Sequence, residues 1–199
     1  MTESNALVSH TTADIPVYPL IEIRTKFATV TVALDTMSGS SYITTRLVEQ
    51  LDLQIKKREH SLHVKGLGGK ETQVITYTAD FEIENTKYRL NIIDNICMAL
   101  PEVGNEILDS WPWLRTQKLS CKFPRSYVSP QILIGLDLMS TILIPAPNLP
   151  APNLRTSHSN DVTELRTFLH RSGLAALNTK FELVVYGNLE KRAIISTVD

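Results

Sequence analysis

This sequence has little cysteine, no excess of one charge sign and no long apolar run. Its 199 residues include two cysteines, Cys97 and Cys121, which form neither a CxxC pair nor a zinc-ligand spacing. Lys and Arg number 20 against 21 Asp and Glu, so no basic surface for nucleic acid or an anionic membrane is indicated. No run of about 18 apolar residues predicts a membrane span. These absences argue against nucleic-acid and membrane partners, and no metal site or other cofactor is expected.

The opening residues also lack the features of a secretory signal. Residues 1–13 are polar, without a basic segment followed by an apolar one. With only two cysteines, a reduced chain in the cytoplasm is the favoured expectation, although one disulfide stays open as an alternative. A hydrophobic content of 43% and a charged content of 21% are typical of a globular protein.

Alternating apolar residues, many of them β-branched, make strands the dominant pattern. Apart from an ambiguous stretch at 107–114, the pattern predicts a mostly β, β-rich α+β fold with short helices at 43–53 and 161–170. The predicted strands cover residues 17–23, 27–34, 60–64, 73–83, 88–93, 131–139, 180–186 and 192–198.

Composition divides the chain into four parts. Residues 1–14 are expected to form a flexible arm, and residues 15–144 the folded core. Residues 145–154 read Pro-Ala-Pro-Asn-Leu twice, which predicts an extended linker or surface loop. Residues 155–199 then form a C-terminal α/β extension.

An acid at the end of an apolar strand is the most informative feature. Asp35 follows the 27–34 strand directly, and Thr36 and Ser38 place hydroxyls beside it. A carboxylate at the end of a buried strand is costly unless hydrogen bonds or a function hold it there. The plainer interpretation is that Asp35 caps the following turn and helix.

Two later patterns complete a resemblance to retropepsins, the homodimeric aspartic peptidases of retroviruses and retrotransposons. One is the glycine-rich stretch Gly66, Leu67, Gly68 and Gly69, which suits a hairpin tip. The other is the apolar strand ending in Leu133, Ile134 and Gly135. The resemblance implies a closed β-barrel or sandwich with a flap hairpin over the catalytic loop.

The peptidases of BEL/Pao retrotransposon polyproteins are the most similar group. They share a Ser-[Phe/Tyr]-Ile stretch leading into a helix, as in Ser41, Tyr42 and Ile43, and an Ile-Gly-x-Asp pattern, as at Ile134–Asp137. The resemblance covers roughly residues 15–190. Asp137 itself is expected to cap the start of a helix.

The resemblance implies a role for each motif. Asp35 and its copy in a second chain would share one proton and activate water. Thr36 would brace the two loops, and Ser38 would hydrogen-bond the outer oxygen of Asp35. The Gly66–Gly69 flap would close over an extended polypeptide, so the implied partners are a second copy of the chain and a polypeptide substrate.

Met37 departs from the family pattern, which has glycine at this position. A side chain there would crowd the cleft or force the loop apart. An alternative alignment takes Gly39 as the motif glycine. Two hypotheses therefore stand. The first, which we adopt, is a retrotransposon-type aspartic endopeptidase. The second is a domesticated retropepsin fold without catalysis, which serves as a dimerisation or peptide-binding scaffold.

Overall fold

Strands account for most of the regular structure in the computed structural model, which describes residues 14–65, 71–83, 86–143 and 167–190. The helices are α1 (Thr45–Gln50), α2 (Glu106–Ser110) and α3 (Leu136–Ile142), with a 3-10 helix at Pro112–Thr116. The predicted β-rich α+β fold class is confirmed. In chain order the strands are β1 (Asp14–Val17), β2 (Leu20–Arg24), β3 (Thr29–Leu34), β4 (Tyr42–Thr44), β5 (Ile55–Lys65), β6 (Glu71–Ile83), β7 (Thr86–Ile93), β8 (Ile132–Ile134), β9 (Thr167–Leu169), β10 (Leu174–Thr179) and β11 (Glu182–Glu190).

The larger sheet has seven strands in the order β2-β3-β8-β4-β7-β6-β5. Strand β8 is inserted between β3, to which it is parallel, and β4, to which it is antiparallel. The predicted neighbourhood of the 27–34 and 131–135 segments is therefore confirmed. The predicted closed barrel is wrong, because β2 and β5 are the two edges of this sheet and do not pair with each other in the part of the chain that the structure describes.

The smaller sheet joins the two ends of the described chain. Its order is β1-β11-β10-β9, so the first strand pairs with the last. Buried Ser120 links the two sheets, since its hydroxyl lies within hydrogen-bond distance of Leu20 O on β2 (3.0 Å) and Leu183 O on β11 (3.1 Å). The division into arm, core, linker and extension stays a prediction, but residues 167–190 pair with β1 rather than standing apart.

Two groups of buried side chains form the core. The first packs the inner face of the larger sheet against α1 and α3, with Leu47 and Met139 among its members. The second packs the smaller sheet against α2 and the 3-10 helix, and includes Trp111, 5% exposed. The predicted packing of the Trp111 indole onto the core is confirmed. Both cysteines are free thiols.

Several predicted boundaries were wrong for identifiable reasons. The 17–23 segment is two strands, because the chain passes between sheets at Tyr18 and Pro19. The 131–139 strand ends at Ile134 and continues as α3. Residues 167–169, expected in a helix, form strand β9. Gly187, expected in a turn, stays inside β11 with φ +122°.

Candidate functional site

Asp35 is placed by the pairing of β3 with β8. Val32, Ala33 and Leu34 pair in register with residues 132–134, and the Asp35 N–H then donates to Ile134 O at 2.9 Å. Val30, Val32 and Leu34 are buried, whereas Asp35 itself is half-buried. The carboxylate thus lies at the end of the sheet, partly open to solvent, and the buried pairing of β3 with β8 fixes its backbone position.

A tight turn orients the Asp35 carboxylate. The Met37 N–H donates to Asp35 Oδ1 at 2.8 Å, and the Ser38 N–H lies 3.4 Å from Asp35 O. A carboxylate that accepts a bond from the N–H two residues later forms an Asx turn. Asp35 therefore caps the turn, as one interpretation of the sequence held. Helix α1 has a different cap, because Thr44 Oγ1 accepts from the Leu47 N–H at 3.3 Å.

The neighbours of Asp35 are open to solvent. Thr36 is exposed, and the Met37 side chain is 80% exposed. Met37 does not have a positive φ, so nothing in the backbone of this turn requires glycine. A Cβ added at Gly39 would meet no atom within 4 Å. Neither position is one where the single chain needs a glycine for close approach.

Ser38 makes a contact other than the predicted one. Its hydroxyl donates to Ser40 O at 2.7 Å, and a hydroxyl has only one hydrogen to donate. The expected hydrogen bond from Ser38 to the Asp35 carboxylate is therefore replaced by the Met37 N–H. Ser38 instead stabilises the loop, and its carbonyl accepts from the Leu136 N–H at 2.8 Å.

Gly135 is the glycine that this site requires. A Cβ at Gly135 would lie 2.4 Å from Ser40 O and 2.7 Å from Ser38 O. Both distances are far shorter than any normal contact, and both opposing atoms are backbone. The Asp35 loop can therefore rest against the end of β8 only where residue 135 has no side chain. Leu133 and Ile134 belong to β8, the strand that pairs with β3 next to the loop.

Sequence reasoning missed the contact between Ser41 and Asp137. Asp137 Oδ1 accepts from Ser41 Oγ at 2.6 Å, and Oδ2 accepts from the Ser41 N–H at 3.1 Å. The prediction that Asp137 caps a helix is wrong, because the N-cap of α3 is Gly135 and no side chain caps it. The Ile-Gly-x-Asp pattern was a signal, but 96 positions separate the two partners.

The remaining predicted site residues are those of the predicted flap. Gly66, Leu67, Gly68 and Gly69 are outside the described residues, so the flap stays a prediction. The strands on either side of them, β5 and β6, are paired antiparallel up to Lys65 and Glu71.

Two structural features concern metal binding and membrane crossing. Within the described ranges, no three His, Cys, Asp or Glu side chains are grouped so as to hold a metal ion. No helix in those ranges combines the length and the apolar character needed to cross a bilayer.

Comparison with known proteins identifies a family. A family model described as "Putative peptidase (DUF1758)" matches residues 21–149, which is more than half of the 199 residues. The matched stretch contains the Asp35 loop, β8 and α3. No curated protein and no solved structure matches the chain. The match supports a peptidase at the level of class and does not specify the catalytic type.

Proposed function

This chain belongs to that peptidase family, and on that premise we propose that it is an aspartic endopeptidase of the retrotransposon type, acting on extended polypeptide as a homodimer. The observation that carries the proposal is the position of Asp35. Its backbone is held by Ile134 O at 2.9 Å and its carboxylate by the Met37 N–H at 2.8 Å. A carboxylate held at a fixed position with access to water can act as a general base in hydrolysis.

The chemistry needs two carboxylates that share one proton. One takes a proton from water while the other, protonated, polarises the scissile carbonyl. The described part of the chain has one loop of this kind, around Asp35. A second copy related by a two-fold axis would supply the other. The exposed Thr36 beside Asp35 would then lie at the junction of the two loops.

The substrate class follows from the sheet. Strand β5 is an edge of the larger sheet, and the β5–β6 pair leads into the predicted flap. An extended polypeptide could add to such strands through backbone hydrogen bonds, with its side chains entering alternate pockets. Closure of the Gly66–Gly69 segment over the peptide would separate the site, with its one reacting water, from bulk solvent.

A second candidate function is a scaffold without catalysis. The observation that favours it is Met37, whose side chain is 80% exposed next to the acid. In a homodimer two such side chains would meet near the axis and could prevent the two carboxylates from approaching. The fold would then keep its dimer interface or peptide groove without cleaving its ligand.

Peptide cleavage by the purified full chain tests the proposal. Wild type is expected to cleave an unfolded protein substrate between roughly pH 4 and 7, where shared-proton dyads work. Asp35→Asn is expected to lower the rate by about 10²–10⁴-fold, because it removes the base.

Asp52→Asn is the matched control. It makes the same chemical change at an exposed residue with φ 50°, a conformation that Asn adopts readily. Equal cleavage by wild type and Asp35→Asn would contradict the assignment of Asp35. If a folded wild-type dimer cleaves nothing, the scaffold function is favoured over the endopeptidase.

A further inference from the structure

The contact between Ser41 and Asp137 has a fixed hydrogen-bond direction. The Gly135 N–H donates to Ser41 Oγ at 2.9 Å, so the single hydroxyl hydrogen of Ser41 is available for Asp137 Oδ1. The Ser41 N–H donates to Oδ2 of the same carboxylate. Two of the three hydrogen bonds therefore end on Asp137, which has to act as an acceptor at both oxygens.

Burial makes this acceptor hard to replace. Ser41 is 0% exposed although Asp137 itself is exposed, so in the intact chain the Ser41 N–H and hydroxyl are bonded to the Asp137 carboxylate and not to water. On its other side, the Ser41 carbonyl accepts from both the backbone N–H and the side-chain amide of Asn91, at 3.0 and 3.1 Å. If Asp137 were lost, the two donors of Ser41 would lose this acceptor, and they would be either unpaired, which is unfavourable, or bonded to water that enters the loop.

The same geometry explains each position of the Gly-Leu-Asp sequence after β8. Gly135 leaves room for the carbonyls of the loop. Leu136 contributes only its N–H, which reaches Ser38 O, while its side chain is 57% exposed. Asp137 supplies the double acceptor. Within the single chain, the geometry thus restricts residue type at the first and third positions, whereas the second contributes only its backbone.

We propose that Ser41 and Asp137 are positioning residues that hold the loop of residues 35–41 in the geometry Asp35 needs, a role that rests on the function proposed above. The loop is attached at its start by the ladder from β3 to β8 and at its end by the Asp137 carboxylate. Asp137 acts through Ser41 and is not a second catalytic acid, because both of its oxygens accept bonds from Ser41.

Steady-state kinetics of the full chain on a peptide substrate test this role. Asp137→Ala is expected to lower kcat by about 10²-fold with KM little changed, since misplacing a catalytic group by about 1 Å costs that much. Asp137→Asn keeps the shape and one acceptor oxygen, so an intermediate loss is expected. Glu49→Gln, which removes an exposed carboxylate on α1, is the charge-matched control and should behave as wild type.

The pH profile separates positioning from catalysis. A positioning role predicts that Asp137→Asn lowers the whole profile of kcat without removing either limb. Loss of one limb in Asp137→Asn would overturn the proposal and make Asp137 a reacting group. Wild-type kcat in Asp137→Ala would also overturn it, and if that variant fails to fold, Asp137→Asn decides alone.

Amide hydrogen exchange gives a readout that does not need activity. The proposal predicts faster exchange at the Ser41 and Gly135 amides in Asp137→Asn, with unchanged protection in the β6–β7 pair. If wild type cleaves nothing but this selective change occurs, the proposed function fails, and the hydrogen bonds between Ser41 and Asp137 have only a structural role. If exchange is unchanged, the positioning role fails even where wild type is active.

Discussion

A buried cation with incomplete pairing stands out at the residue scale. Arg125 is 8% exposed, and its Nε and Nη2 have no hydrogen-bond partner within the described part of the chain. Its Nη1 reaches Tyr18 O at 3.5 Å, and its guanidinium lies 5.5 Å from the Phe123 ring centroid. The thiol of Cys121 does not neutralise the charge, because burial raises the pKa of this group. The local structure thus bears the cost of a partly unpaired charge.

Arg125→Met is therefore expected to leave the free energy of unfolding unchanged or to raise it by up to about 2 kcal/mol. Replacing buried charge with an apolar chain of similar volume is often neutral or stabilising, although the contact with Phe123 is lost. Urea titration measures the change. Arg115→Met is the control at an exposed ion pair with Asp109, where an effect of at most about 1 kcal/mol is expected. A loss well above 2 kcal/mol in Arg125→Met would mean that the guanidinium has acceptors beyond those described.

Met37 is the residue on which the two functional hypotheses differ most. Its N–H orients Asp35, and its side chain points into solvent. Met37→Gly keeps the N–H and removes the side chain, so peptide cleavage should rise if the side chains crowd the dimer axis. Backbone entropy would cost about 1 kcal/mol of stability. The measurement is kcat/KM, with the Asp35→Asn, Met37→Gly double variant as the control that should abolish the gain. An unchanged kcat/KM in an active protein would refute the crowding.

The β3–β8 pair shows what could be predicted at the scale of elements. Both segments are short apolar runs bounded by polar or glycine residues, and the resemblance to retropepsins placed them side by side. The end of β8 was predicted too late, at residue 139, because Leu136 and Leu138 continue its apolar run, although Asp137 was expected to lie at the start of a helix. The helix forms where Gly135 lets the chain turn away under the loop. The contact of Ser41 with Asp137 likewise depends on the fold, since only sheet order brings residues so distant in sequence together.

One residue beside the smaller sheet, His170, should make the stability of the fold depend on pH. His170, between β9 and β10, stacks on Trp111 with ring centroids 4.8 Å apart, and its Nδ1 accepts from the Ser172 N–H at 3.3 Å. Burial, with a smaller effect of the Arg171 charge, holds the pKa of His170 below its usual 6.5. Protonation would both charge a stacked ring and remove the acceptor at Nδ1.

Stability should therefore fall as the solution is acidified. The unfolded chain binds the proton near pH 6.5, before the folded chain does, so the contribution of neutral His170 is complete above about pH 6.5. It is lost as the pH falls from there through the lower pKa of the folded state. Urea titrations of wild type and His170→Gln, at pH 7.5 and 5, measure the effect. The stability difference between them should shrink at the lower pH, and parallel curves would contradict the prediction.

At the scale of the whole molecule, the face around Asp35 is the one that a second copy would cover. Two exposed apolar side chains lie on it, because the Leu136 N–H is bonded to Ser38 O next to Met37. In the proposed homodimer, activity per chain depends on the fraction of dimer. Specific activity should therefore fall on dilution below the dissociation constant, and Thr36→Ala should shift this fall to higher concentration.

Leu136→Asp tests the same face. The variant should still fold, because its new side chain lies at the start of a helix. Residue 136 is the first residue of α3, where an acid is favourable to the helix dipole. Two new carboxylates near the axis would repel each other, so the variant should be a folded monomer without activity. Phe27→Asp is the control, since Phe27 is 75% exposed and precedes β3, whereas Asp35 follows it. Sedimentation and cleavage are measured together. Full activity in a verified Leu136→Asp monomer would refute the dimer, and equal dissociation of both variants would place the interface away from Asp35.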